Sequence, residues 1–180
     1  MKNYIERMTS TKFLRINLGG FLIICLLSNT LFRVSFLYLT QTFKYSSEYA
    51  YSLMNEIGEF GRRAHLLILI ADLIMIIFYT NFLFGINYKL SCKVTKNCHL
   101  ITIITFLPLI LAIIQLSEII TIAMLIIHYK REYTNIAHLA NFLTIIKFNL
   151  TAICFGLPIV LICVNIVLKF MQKRKMKFEG

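Results

Sequence analysis

Tryptophan is absent from this chain, proline occurs twice and glycine seven times among 180 residues. So few and scattered breakers leave no material for a linker, a low-complexity tract or an internal repeat, so residues 1–180 read as a single domain. Charge is also scarce. Only 15% of residues are charged, against about a quarter in ordinary soluble domains, which argues against a water-soluble fold. Five cysteines are an odd number without the spacing of a disulfide framework. Cys25, Cys154 and Cys163 fall inside apolar runs, where cysteine acts as a small hydrophobe. The motifs of chemistry are missing too: there is no H-E-x-x-H, no G-x-S-x-G, no phosphate-binding glycine loop and no dinucleotide fingerprint. The expectation is a protein that is not an enzyme and carries no cofactor.

What is present is apolar length. The chain is 58% hydrophobic with a mean hydropathy of +0.75. A helix needs roughly 20 mainly apolar residues to cross a bilayer core about 30 Å thick. Four stretches qualify, at about 19–41, 64–86, 101–127 and 139–168. They predict an all-α polytopic membrane protein, an antiparallel four-helix transmembrane bundle. The first stretch is the weakest, because Asn29, Thr30, Arg33 and Ser35 interrupt it. Lys2, Arg7, Lys12 and Arg15 precede it as in a signal peptide, but no small-x-small cleavage site follows, and the apolar run resumes over 34–39. It reads as a retained helix. Pro108 and Pro158 should free backbone carbonyls within the third and fourth helices, kinking them or opening a cavity.

The net charge is +11, yet the basic residues stand at the ends of the apolar runs rather than along one face. They therefore read as topology signals and lipid contacts, not as a nucleic-acid surface. Twelve Lys and Arg fall in the leading segment, the second loop (Lys89, Lys93, Lys96) and the tail from 169 onward; five fall on the other side (Lys44, Arg62, Arg63, Lys130, Arg131). Positive loops stay in the cytoplasm, so both termini are expected there, with the tail at 169–180 touching anionic headgroups.

In the first outer loop, Ser46 is a candidate N-cap. Ala50, Leu53, Met54, Ile57 and Phe60 then recur at helical spacing, with Glu48, Asn55, Glu56 and Glu59 among the polar positions. This predicts a short amphipathic helix lying on the membrane surface. Tyr38, Tyr45, Tyr49, Tyr51, Tyr129 and Tyr133 supply the interfacial belt that tryptophan does not.

Arg33, Asp72, Glu118 and Lys147 lie inside the four stretches, one in each. Each such group costs about 2.5–3.5 kcal/mol at mid-helix, so it needs a partner or a wet cavity. Counted from the outer helix ends, all four fall roughly 12–14 Å deep. Their faces agree with a shared layer: His65, Asp72 and Tyr79 are seven apart, Cys25, Asn29 and Arg33 four apart, Gln115, Glu118 and Thr121 three apart. Thr144, Thr151, Pro158 and Asn165 form a seven-residue stripe flanked by Lys147 and Cys154. Converging stripes are what a bundle axis collects. Two readings follow: a structural layer that neutralises itself, or a polar-ligand or proton path using Asp72 and Glu118, with His65 near its mouth and Tyr79 and Gln115 along it.

Cys92 and Cys98, followed by His99, have five residues between the thiols, where a zinc site normally has two to four. They read as reduced cytoplasmic thiols near the bilayer, and no metal site is expected.

The stretch at 60–86, Phe-Gly-Arg-Arg-Ala-His-Leu-Leu-Ile-Leu-Ile-Ala-Asp-Leu-Ile and onward, resembles a family of uncharacterised bacterial multi-pass membrane proteins, as does the opening Phe-Leu-Arg-Ile-Asn-Leu-Gly-Gly at 13–20. Arg63 and Asp72 are the matching positions. The third helix departs from the pattern, carrying Thr105-Phe106-Leu107-Pro108 where an arginine is expected. The resemblance covers about a third of the chain and implies a bacterial cytoplasmic membrane; it brings no activity with it. The expected role is accessory, regulatory or protective, through lipid contacts and a membrane-protein partner or second copy. The alternative is a small proton-coupled transporter or channel.

Overall fold

A computed structural model describes residues 6–31 and 44–178. Among these residues the fold is entirely helical: α1 (Thr11–Leu31), α2 (Ser47–Glu56), α3 (Gly58–Val94), α4 (Cys98–Ile127) and α5 (Thr134–Phe178), with a 3-10 turn at Tyr129–Arg131. Four of them, all but α2, are long and apolar enough to cross a membrane. The protein is an all-α integral membrane bundle.

The distribution of side chains follows the solvent. Leu67, Ile70, Ile74 and Ile77 on α3, and Ile103, Phe106, Ile110 and Ile113 on α4, are among the most exposed residues. They recur every three or four positions, so each helix turns an apolar stripe outward while Asn87, Thr105, Glu118, Thr144 and Lys147 are buried. In lipid this is the favourable sense.

The central helix is α3, which packs against α1, α4 and α5; α4 and α5 also pack on each other. Small residues permit the closest approaches. The Phe78 ring lies over Gly20, where an added Cβ would come within 2.5 Å of it. The Met8 carbonyl seats on Gly85, where a Cβ would meet that backbone oxygen at 2.5 Å.

The helices run past their apolar runs. α1 starts at Thr11 rather than near Gly19, α3 extends from Gly58 to Val94, and α5 continues through the basic tail to Phe178. Ser46 caps α2 by accepting a hydrogen bond from the Tyr49 amide at 3.1 Å. Gly58 then turns the chain into α3 at φ +63°, a left-handed backbone open to glycine at little cost. At the α3–α4 turn, Asn97 accepts from the His99 and Leu100 amides and so caps α4.

One expectation changes. The apolar side of α2 does not lie on the bilayer: Ala50, Tyr51, Leu53 and Met54 are buried against the bundle, in one core with Leu69, Ile122 and Leu125. Arg62 fastens this end, donating to the Met54 carbonyl at 2.7 Å while its guanidinium lies 3.8 Å over the Tyr129 ring. Lipid and protein core are equally apolar partners, so the pattern alone does not choose between them.

Gly85→Ala should lower the melting temperature by several degrees in detergent, because backbone at Met8 must give way, at a cost of about 1–3 kcal/mol. Gly19→Ala, with nothing within 4 Å of its Cβ, should be neutral or stabilising. Circular-dichroism melts decide this, and equal behaviour of the two variants would refute the seating of Met8 on Gly85.

Candidate functional site

Glu118 faces inward from α4 and is 2% exposed; Lys147 on α5 is 7% exposed. The lysine Nζ donates to Glu118 Oε1 at 2.8 Å. Thr144, one turn before Lys147, places its hydroxyl 2.6 Å from the same Oε1 and 2.9 Å from the Ala140 carbonyl. A hydroxyl has one proton, and the shorter contact to a charged acceptor is the stronger claim on it. Two donors from α5 thus converge on one carboxylate oxygen of α4.

The segment ahead of α2 closes over this pair. The Tyr45 amide donates to the Asn141 side-chain oxygen at 3.0 Å, and the Tyr45 ring is buried. Its hydroxyl is pushed up to about 12 from the ordinary value of 10.0, mainly by burial, with the Thr144 hydroxyl working against the shift and the Glu118 carboxylate adding to it. Asn141, Thr144 and Lys147 are spaced by three and present one face of α5 to this cap.

Asp72 lies within electrostatic range of both Lys147 and Glu118, and among the described residues no ion pair to it is formed. Arg33 lies outside the described residues. His65, read as lying near the mouth of such a path, is buried at 1% exposure. Tyr79 and Gln115 come together, the phenol donating to the Gln115 side-chain oxygen. The Tyr79 ring also packs against Phe21 and Phe155 at 6.3 and 5.9 Å. Beyond that layer Leu83 and Leu111, at 1% and 0% exposure, interrupt the polar stripe.

Tyr45 and Asn141 join this site although neither lies among the charged positions of the apolar stretches. The spacing of Asn141, Thr144 and Lys147 is the signal that marks the second; Tyr45 carries none, since an interfacial tyrosine looks the same whether it faces lipid or a carboxylate. Cys92 and Cys98 are both exposed at the α3–α4 turn. Among the described residues no cluster of three or more His, Cys, Asp or Glu side chains is placed to hold a metal ion. No protein-family model, curated protein or solved structure matches the chain.

A phenol whose folded value exceeds its unfolded one favours the fold while neutral. That contribution is complete below pH 10 and is lost as pH climbs to about 12. Wild type should therefore lose more thermal stability between those limits than Tyr45→Phe. Parallel melting curves for the two proteins would show that Tyr45 is not buried as described.

Proposed function

We propose that the protein is a non-enzymatic accessory, regulatory or protective membrane protein that works through helix and lipid contacts, its charged layer fixing helix order and register. The observation that carries this reading is the Lys147–Glu118 pair, held at 2.8 Å with Thr144 on the same oxygen and covered by Tyr45. A carboxylate already holding two donors under a closed cap is poorly arranged to release and rebind protons. The apolar layer at Leu83 and Leu111 supports the same conclusion, since a proton needs a continuous polar path.

The distribution of Lys and Arg puts both termini in the cytoplasm, and the resemblance at 60–86 points to a bacterial cytoplasmic membrane. The basic tail faces anionic headgroups, and a membrane-protein partner or second copy completes the set of contacts. A second reading, a small proton-coupled transporter or channel, is favoured by one observation: Asp72, half-buried and close to Lys147 and Glu118, has no ion pair among the described residues.

Glu118→Gln should lower folded yield, because removing the carboxylate breaks the buried charge pair with Lys147, at a cost of about 3–5 kcal/mol. Replacing both partners, Glu118→Leu with Lys147→Met, should recover much of it. Proton flux into liposomes should be absent in wild type and unaffected by Asp72→Asn. A wild-type flux that Asp72→Asn abolishes without harming the fold would select the transporter reading instead.

A further inference from the structure

The end of the bundle opposite the ion pair also buries polar groups. Asn87 and Ser91 on α3 are both 0% exposed and stand one helical turn apart, with Cβ atoms about 5–6 Å from each other on one face. Asn87 reaches α4 where Pro108, lacking an N–H, leaves the Ile104 carbonyl without its helical donor. Asn87 supplies the substitute, its Nδ2 donating to the Ile104 oxygen at 3.3 Å. A carbonyl can only accept, so the amide orientation is fixed and Asn87 Oδ1 is left over. Among the described residues neither Asn87 Oδ1 nor Ser91 Oγ has a hydrogen-bond partner. An unmade bond at a buried polar atom costs about 1–3 kcal/mol, and here two such atoms belong to side chains one helical turn apart.

We propose that Asn87 and Ser91 form a binding site for one small neutral hydrogen-bonding molecule, water in the cell, in the α3–α4 seam beside Pro108. Two hydrogen bonds of about 2.8 Å reach across the gap between neighbouring side chains one turn apart. The bound molecule donates to Asn87 Oδ1 and accepts from the Ser91 hydroxyl. Thr105, next in the chain to Ile104 and 2% exposed, has its proton engaged with the Ile101 carbonyl at 2.6 Å. Asn87 Oδ1 and Ser91 Oγ by themselves supply two of the two to four partners that a buried water takes. A cation fits less well, because the Asn87 amide hydrogens lie at the site. An apolar occupant would leave both oxygens unpaired. The site is independent of the reading given to the charged layer, being built from other residues.

Ser91→Ala separates a bridged hydroxyl from a dry one. With a bound molecule, the variant strips it of a partner and should lower the melting temperature by several degrees; a dry unpaired hydroxyl removed by the same change leaves stability equal or raised. Nuclear Overhauser transfer between water and the Asn87 side-chain amide, in the labelled full chain in micelles, should be seen in wild type and weakened severalfold in Ser91→Ala. An unchanged or raised melting temperature, or wild-type protein without that transfer, would overturn the proposal. Asn87→Ala also loses the Ile104 contact, so the decision rests on the serine variant and the wild-type spectrum.

Discussion

A lysine and a glutamate at one depth in an apolar medium have little choice but to meet. An isolated ion there is strongly penalised, and the penalty falls only when an opposite charge and further hydrogen bonds take the place of water. Because Glu118 stands on α4 and Lys147 on α5, the 2.8 Å contact ties the two helices to each other at that level. Thr144 then falls on the same oxygen, and Asn141, one turn earlier, is available to hold the Tyr45 amide. The position of α2 above the bundle follows from that, with Ser46 starting the helix immediately afterwards.

The same rule, that a polar atom inside lipid favours a partner in the protein, accounts for two further interior contacts. Pro108 would be a liability in an isolated helix, yet α4 continues through it, and the carbonyl it frees is met by Asn87 from α3. Tyr79 and Gln115 satisfy one another between the two polar ends. The outward stripes need no such provision, since Ile, Leu and Phe are already in their preferred solvent.

The four spanning helices were legible because a bilayer imposes a minimum apolar length that few other structures need. Their ends were not. Outside the hydrocarbon, helix continuation at Gly58, Val94 or Phe178 depends on caps and turns, which hydropathy does not register. Counting residues from the helix ends put Glu118 and Lys147 at one level, and α4 and α5 are adjacent; Arg33, read at that level too, lies outside the described residues. The burial of α2 and the Asn87–Ile104 contact were not legible, because each depends on which helix is the neighbour. Ser46 was readable as a cap for the opposite reason: its bond to Tyr49 is entirely local.

The exposed surface of α1 has a consequence for how that helix is retained. Leu22, Ile23, Leu26 and Leu27 are half-exposed or more, and acyl chains solvate them as well as any neighbouring helix would. Oiliness therefore supplies no net force pulling α1 onto α3. What remains is shape, the fit of Phe78 into the notch at Gly20 and rings such as Phe21 against Tyr79 and Phe155, together with one weak thiol contact from Cys25 to the Met75 sulfur at 3.7 Å. The grip on the first helix is consequently short-ranged and sensitive to a single methyl group at the notch. On its outer face, quite different apolar side chains are interchangeable.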